Sequence, residues 1–175
     1  LHVKRHSFPT RRSSDLFGFV RCHLINDFVA VGWGLNTLAA ENLATLQTGQ
    51  AIEGAARVAL GAGTGLGVSL CAWHQDHYRP LASEGGHLGF APANPEQDRL
   101  LVFLRGLHGR VSVERILSGP GLIELFRFCL AERGESDSPL LRAEQPAAAI
   151  SQAGLAREDV SATNCLRMFA EIFGQ

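Results

Sequence analysis

Apolar positions along this chain change period several times, and each change predicts an element. From Ala56 to Trp73 they alternate. Val58, Leu60, Val68, Leu70 and Ala72 recur at every second residue on the two sides of Gly61-Ala-Gly-Thr-Gly-Leu-Gly67, which predicts strand, glycine turn, strand. Val20 to Ile25 suits a buried strand, and Phe28 to Leu38 an apolar helix, with Asn26-Asp27 at the junction. Leu100, Leu101, Phe103, Leu104 and Leu107 mark one face of a helix starting near Pro95, where proline suits a first turn. A further helix is expected from Val111 to Ser118, ended by Gly119-Pro-Gly121, and an amphipathic helix follows from Leu122 to Arg133, stopped at Gly134. Glu135 to Ala156, rich in Ser, Pro, Ala and Gln, reads as a surface connection with one short helix. Cys165, Leu166, Met168, Phe169, Ile172 and Phe173 form an apolar helical stripe for which the sequence shows no packing partner.

Composition bounds the class. With 175 residues, 46% of them hydrophobic, the chain can bury a core and should form one domain or pieces of two. A formal charge of -1 points to neither nucleic acid nor an acidic membrane surface as partner, and no apolar run reaches the length of a membrane span. Cys22, Cys71, Cys129 and Cys165 are far apart and form no Cys-x-x-Cys pair, which suits reduced thiols and a cytoplasmic setting. Lys4 is the chain's only lysine, and residues 1–16 carry neither helical nor strand periodicity, so they read as a basic tail foreign to the rest.

Candidate chemistry gathers at the glycines. A glycine-rich turn can take positive φ and aim consecutive amides at one anion, although it can equally be a tight turn. The dinucleotide fingerprint is disfavoured because Leu66 stands where its third glycine belongs, and a P-loop because no Gly-Lys-Ser/Thr follows. Asn26 and Asp27 suit a site at a strand's end or a helix N-cap. Glu84-Gly-Gly-His87 puts a carboxylate and an imidazole around a close-approaching backbone, while Glu114, in an expected first turn, is favoured there by the helix dipole alone. His74, Asp76 and His77 form a polar turn with too few ligands for a metal site, and no metal is expected.

Leu24-Ile-Asn-Asp-Phe28, Gly61 to Gly67, Glu84-Gly-Gly-His87 with Phe90-Ala-Pro92, and Ser112-Val-Glu-Arg-Ile-Leu-Ser-Gly-Pro-Gly-Leu122 together resemble the bacterial glucokinase family. The resemblance runs from about Phe17 to Phe173 and implies the α/β, actin-like and ribonuclease-H-like ATPase architecture. It assigns residues 17–38 to the end of a small domain and 39–175 to a truncated large one. It implies Asp27 as catalytic base, and Asn26, Asp27, Glu84, His87 and Glu114 as glucose ligands. Gly61, Gly63, Thr64, Gly65 and Gly67 match a phosphate-binding loop for ATP, whose magnesium arrives with the nucleotide. Homodimers are usual in the family.

The family's Asp-Val-Gly-Gly-Thr-Asn type hairpin, its later glycine pair at the adenosine and its C-terminal returning helix have no counterpart here, and Gly89 replaces a frequent acidic residue. The chain is therefore expected to be an internal fragment, inactive alone and prone to associate. Two other readings use the same residues. Glu84 and Glu114 could act as acid and nucleophile of a glycoside hydrolase, or the ligands could serve a non-catalytic sugar-binding module.

Overall fold

The computed structural model describes residues 25–175. The basic tail, Cys22 and all but Ile25 of the expected first strand lie outside the described residues. Asn26 opens α1 (Asp27–Leu35): its Oδ1 accepts the Phe28 and Val29 amides at 3.0 and 3.1 Å, satisfying two of the donors a helix start leaves unpaired. α1 ends three residues before the expected Leu38. Asn36 leaves the helix and instead donates its Nδ2 to the Tyr78 carbonyl at 3.0 Å.

Three antiparallel strands follow: β1 (Arg57–Ala62), β2 (Leu66–His74) and β3 (His77–Ser83), in the order β1-β2-β3. The first two match the expected hairpin. β3 has no counterpart among the expected elements, because Arg79 and Pro80 interrupt any apolar alternation; the proline is tolerated on what is an edge of the described sheet. The alternation of β1 and β2 has the expected period but the opposite burial. Val58, Leu60 and Leu70 are exposed, whereas Ala59, Ser69 and Cys71, which share the other face, are buried.

The second face lies under α1. Gly32 is buried there, and a Cβ on it would come within 2.7 Å of Pro80 and 3.2 Å of the Cys71 sulfur. Phe28, Gly32 and Asn36, spaced four apart, thus form one docking stripe along α1.

Four helices build the main core: α2 (Pro95–His108), α3 (Gly119–Glu132), α4 (Pro146–Ala156) and α5 (Val160–Phe173). α2 starts as expected, with Asn94 Oδ1 accepting the Gln97 amide, and buries Leu100 and Leu104; Leu107, expected on the same face, is exposed. Gly119-Pro-Gly121 begins α3 and does not end a helix before it. Ser118 Oγ accepts the Gly121 amide at 3.1 Å and Pro120 occupies the first turn, where a missing N–H costs nothing. Val111 to Ser118 consequently holds just a single 3-10 turn, Val113–Arg115.

Two more expectations change. The stretch from Glu135 to Ala156 contains a 3-10 turn (Pro139–Arg142) and α4, which contributes Ile150, Ala153 and Gly154 to the buried interior, so it is more than a surface connection. The apolar stripe of α5 also has partners: Cys165, Met168 and Ile172 are buried with Phe126 and Ile150 in one cluster. α4 and α5 cross closely at Gly154, where a Cβ would lie 2.7 Å from the Ala162 carbonyl oxygen.

Candidate active site

The glycine hairpin is the point on which the site residues converge, and its glycines act by admitting neighbours. The described glycines with positive φ are Gly54, Gly109 and Gly134, so none lies in the run, and of the two readings of that turn the left-handed one does not apply. Gly61 and Gly67 pair across the hairpin, and the Phe28 ring rests on both. A Cβ at Gly61 would approach Phe28 Cζ to 2.6 Å, and one at Gly67 would overlap the ring. Asp27, adjacent to that ring, is exposed; its Oδ1 accepts the Phe28 amide at 2.9 Å.

Glu114 meets the turn of the same hairpin. Its Oε2 accepts the Leu66 amide at 3.1 Å, and a Cβ on Gly65 would lie 2.6 Å from that oxygen. Gly63 O accepts the Gly119 amide at 2.8 Å, which joins the turn to the start of α3.

Glu84 and His87 arrive on a 3-10 turn, Gly85–His87, pressed against β2. Gly86 is buried with its α-carbon facing the Leu66 carbonyl, so any side chain there would strike backbone. The segment is held to the Glu114 segment by Val113 N to Leu88 O (2.9 Å), Phe90 N to Val111 O (3.1 Å) and Arg110 Nη2 to His87 O (2.7 Å). As a result His87 stands between two carboxylates. Its Nε2 is 3.6 Å from Glu84 Oε2 and its Nδ1 3.6 Å from Glu114 Oε1.

These elements enclose an open cleft of about 380 Å³. Asn26, Asp27, Glu84, Glu114 and Gly61 to Gly67 all line it, and His87 borders it through the two glutamates. The structure therefore gathers Asn26, Asp27, Glu84, Glu114 and the glycine run around one cavity, with His87 outside its lining. Phe28 and Ser83 also line the cleft and went unnoticed as site residues; Ser83 Oγ accepts the Gly85 amide at 3.0 Å and so fixes the turn that carries Glu84. The signal for Phe28 was present in sequence as a bulky residue beside Asp27 and two glycines placed to oppose each other. Arg110 left no such signal.

What the cleft offers chemically is a row of oxygen acceptors facing a turn with spare donors. Gly63 N–H is donated to Gly65 O and Leu66 N–H to Glu114. Among the described residues, the Thr64 and Gly65 amides have no internal partner, and with the Thr64 hydroxyl they suit phosphate oxygens. Carboxylates accept strongly from the hydroxyls of a polyol. The His74 and His77 rings meet edge to face at 6.3 Å, with Asp76 bonded to His77; no group of three or more possible metal ligands occurs among the described residues.

Comparison with known proteins identifies the family. A family model described as Glucokinase matches residues 7–175, beginning ahead of the boundary at 17 that composition suggests. The glucokinase of Hahella chejuensis is 40% identical over 158 residues, covering 90% of this chain and 48% of the relative. A crystal structure of a glucokinase from an Antarctic psychrotroph superposes with a TM-score of 0.79 at 28% identity, covering 94% of this chain and 50% of that one. The glucokinase of Balamuthia mandrillaris, solved in complex with glucose, shares the fold at a TM-score of 0.60 and 23% identity over 70% of this chain and 35% of its own. The chain thus spans about half the length of the curated relatives it matches. None of these matches lends support to a glycoside hydrolase or a non-catalytic sugar-binding module. The family model spans nearly the whole chain and the curated relatives it resembles are glucokinases, so this chain belongs to the glucokinase family.

Proposed function

We propose that a full-length protein carrying this chain transfers the γ-phosphoryl group of ATP to the 6-hydroxyl of glucose. The observation that carries the reading is the placement of Asp27 in one cleft with Glu84, Glu114 and the glycine turn. Asp27 uses one carboxylate oxygen on the Phe28 amide, and the other is available to a substrate hydroxyl. It orients the 6-hydroxyl and takes its proton as the oxygen attacks the γ-phosphorus in line; the bond from that phosphorus to the bridging oxygen breaks, and ADP leaves.

Asn26, Glu84, His87 and Glu114 would hold the remaining hydroxyls, as befits a family in which glucose is bound by the Balamuthia mandrillaris protein. Thr64 and Gly65 would donate to the phosphates, and magnesium carried by the nucleotide would neutralise part of their charge. Residues 17–38 would close a small domain and 39–175 would form most of a large one. The protein would work in the cytoplasm as a homodimer, with its buried Cys71, Cys129 and Cys165 reduced. Because the chain spans about half the family's length, turnover is expected when it is joined to the remainder.

The test places this chain in the Hahella chejuensis glucokinase in place of the segment it matches. ATP-dependent formation of glucose 6-phosphate is then followed beside the unaltered relative. Activity that survives grafting and disappears with Asp27→Ala supports the reading; activity unaffected by Asp27→Ala sinks it.

A further inference from the structure

We propose that Phe28 is a positioning residue: its ring, seated on the Gly61 and Gly67 pair, clamps the first turn of α1 to the glycine hairpin and thereby sets the Asp27 carboxylate against the phosphate-bearing turn. The inference rests on the kinase reading and extends it to a residue that need not touch the reacting atoms.

Three features of the geometry lead to it. First, the strands bring two glycines face to face, and each lacks a Cβ just where the Phe28 ring lies. Neither glycine has a positive φ, so backbone conformation does not account for them, whereas the ring does. Second, the rest of α1 is anchored some way from the cleft, by Gly32 on Pro80 and Cys71 and by Asn36 on the Tyr78 carbonyl. Phe28 is the contact at the end that carries Asp27. Third, Asn26 and Asp27 spend side-chain oxygens on the Phe28 amide, so the Phe28 backbone is itself the reference point for both polar groups. A shift of this turn against the hairpin moves the base relative to the phosphate donors at Thr64 and Gly65.

Misplacement of a reacting group by about 1 Å can cost about a hundredfold in rate, while the sugar keeps its contacts to Glu84, His87 and Glu114 and loses alignment at Asn26 and Asp27 alone. The experiment measures Phe28→Leu and Phe28→Ala in the grafted glucokinase, with glucose affinity and the number of glucose-binding sites determined by calorimetry. Turnover is expressed per binding site. The expected result is a fall of about ten- to hundredfold in kcat for Phe28→Ala, a smaller fall for Phe28→Leu, and a rise in glucose KM distinctly smaller than the fall in kcat. Unchanged kcat per site in both variants overturns the proposal, as does a rate loss that matches the loss of binding sites, which is what a purely structural role gives. If the unaltered graft binds glucose and makes no glucose 6-phosphate while the Hahella chejuensis enzyme does, the kinase reading fails first and this inference with it.

Discussion

Glu114 reaches back 48 positions along the chain to accept the Leu66 amide at 3.1 Å, and its second oxygen stands 3.6 Å from His87. One carboxylate therefore ties the hairpin turn to the segment that bears His87. The helix-dipole explanation for an acidic residue in a first turn does not apply, since Glu114 lies in a 3-10 turn and its carboxylate leaves that turn for the hairpin.

Removing that carboxylate should unsettle the hairpin. Glu114→Ala leaves the Leu66 amide without its acceptor, and a loss of about 1–3 kcal/mol in urea unfolding of the chain is expected. Glu114→Gln keeps an oxygen that can take the amide and should lose less. Equal stability in all three proteins would show that the bond contributes nothing to the fold.

In the grafted glucokinase, Asp27→Asn should separate binding from rate. The amide keeps an oxygen for the Phe28 N–H but is no base, so turnover should fall by about a hundred- to ten-thousandfold with glucose affinity largely kept. Coupled ADP release measures the first and calorimetry the second. Near-normal turnover would remove Asp27 from the base role.

How much of this could be read from sequence varies by element. The hairpin was legible because glycine spacing and strand alternation agree, and Asn26 because a capping residue before an apolar run is a local signal. The reason for the glycines was not, since it lies in a phenylalanine more than thirty positions away whose ring they admit. Gly119-Pro-Gly121 reads as a stop in sequence because both glycines and prolines end helices; what decides is Ser118, which caps the turn after it, and Gly121, which lets the Ile116 carbonyl approach. The stretch that holds α4 reads as a surface connection with one short helix because of its many small residues. Those residues let it cross close to α5, and the burial of Ile150 is visible in three dimensions alone.

Cys165 gives a pH-dependent expectation. It is wholly buried, and the neighbouring free thiol of Cys129, followed by burial, pushes its own thiol far above the usual range. A folded-state value raised above the unfolded one contributes stability that is complete below the ordinary thiol pKa of about 8.5 and declines as pH rises past it. The chain should therefore resist iodoacetamide at Cys165 at pH 8 when folded, react once unfolded in urea, and lose stability progressively above about pH 9. Rapid alkylation of Cys165 in the folded chain would contradict this.

The last expectation concerns α5, where sequence suggested an unpartnered stripe and the structure shows a filled core. Met168 is fully buried with Phe126 and Ile150 in one apolar cluster, and Cys165 and Ile172, one turn away on either side, are buried with it. Truncating such a residue removes apolar burial and leaves a cavity the neighbouring helices fill incompletely, so Met168→Ala should cost about 2–5 kcal/mol. Phe173→Ala, at a partly exposed ring on the same helix, should cost distinctly less. The measurement is urea unfolding of the chain followed by circular dichroism, with the slope compared between variants. A Met168→Ala midpoint equal to that of the unaltered chain, at an unchanged slope, would mean that α5 does not pack on α3 and α4 in solution and that the stripe is open after all.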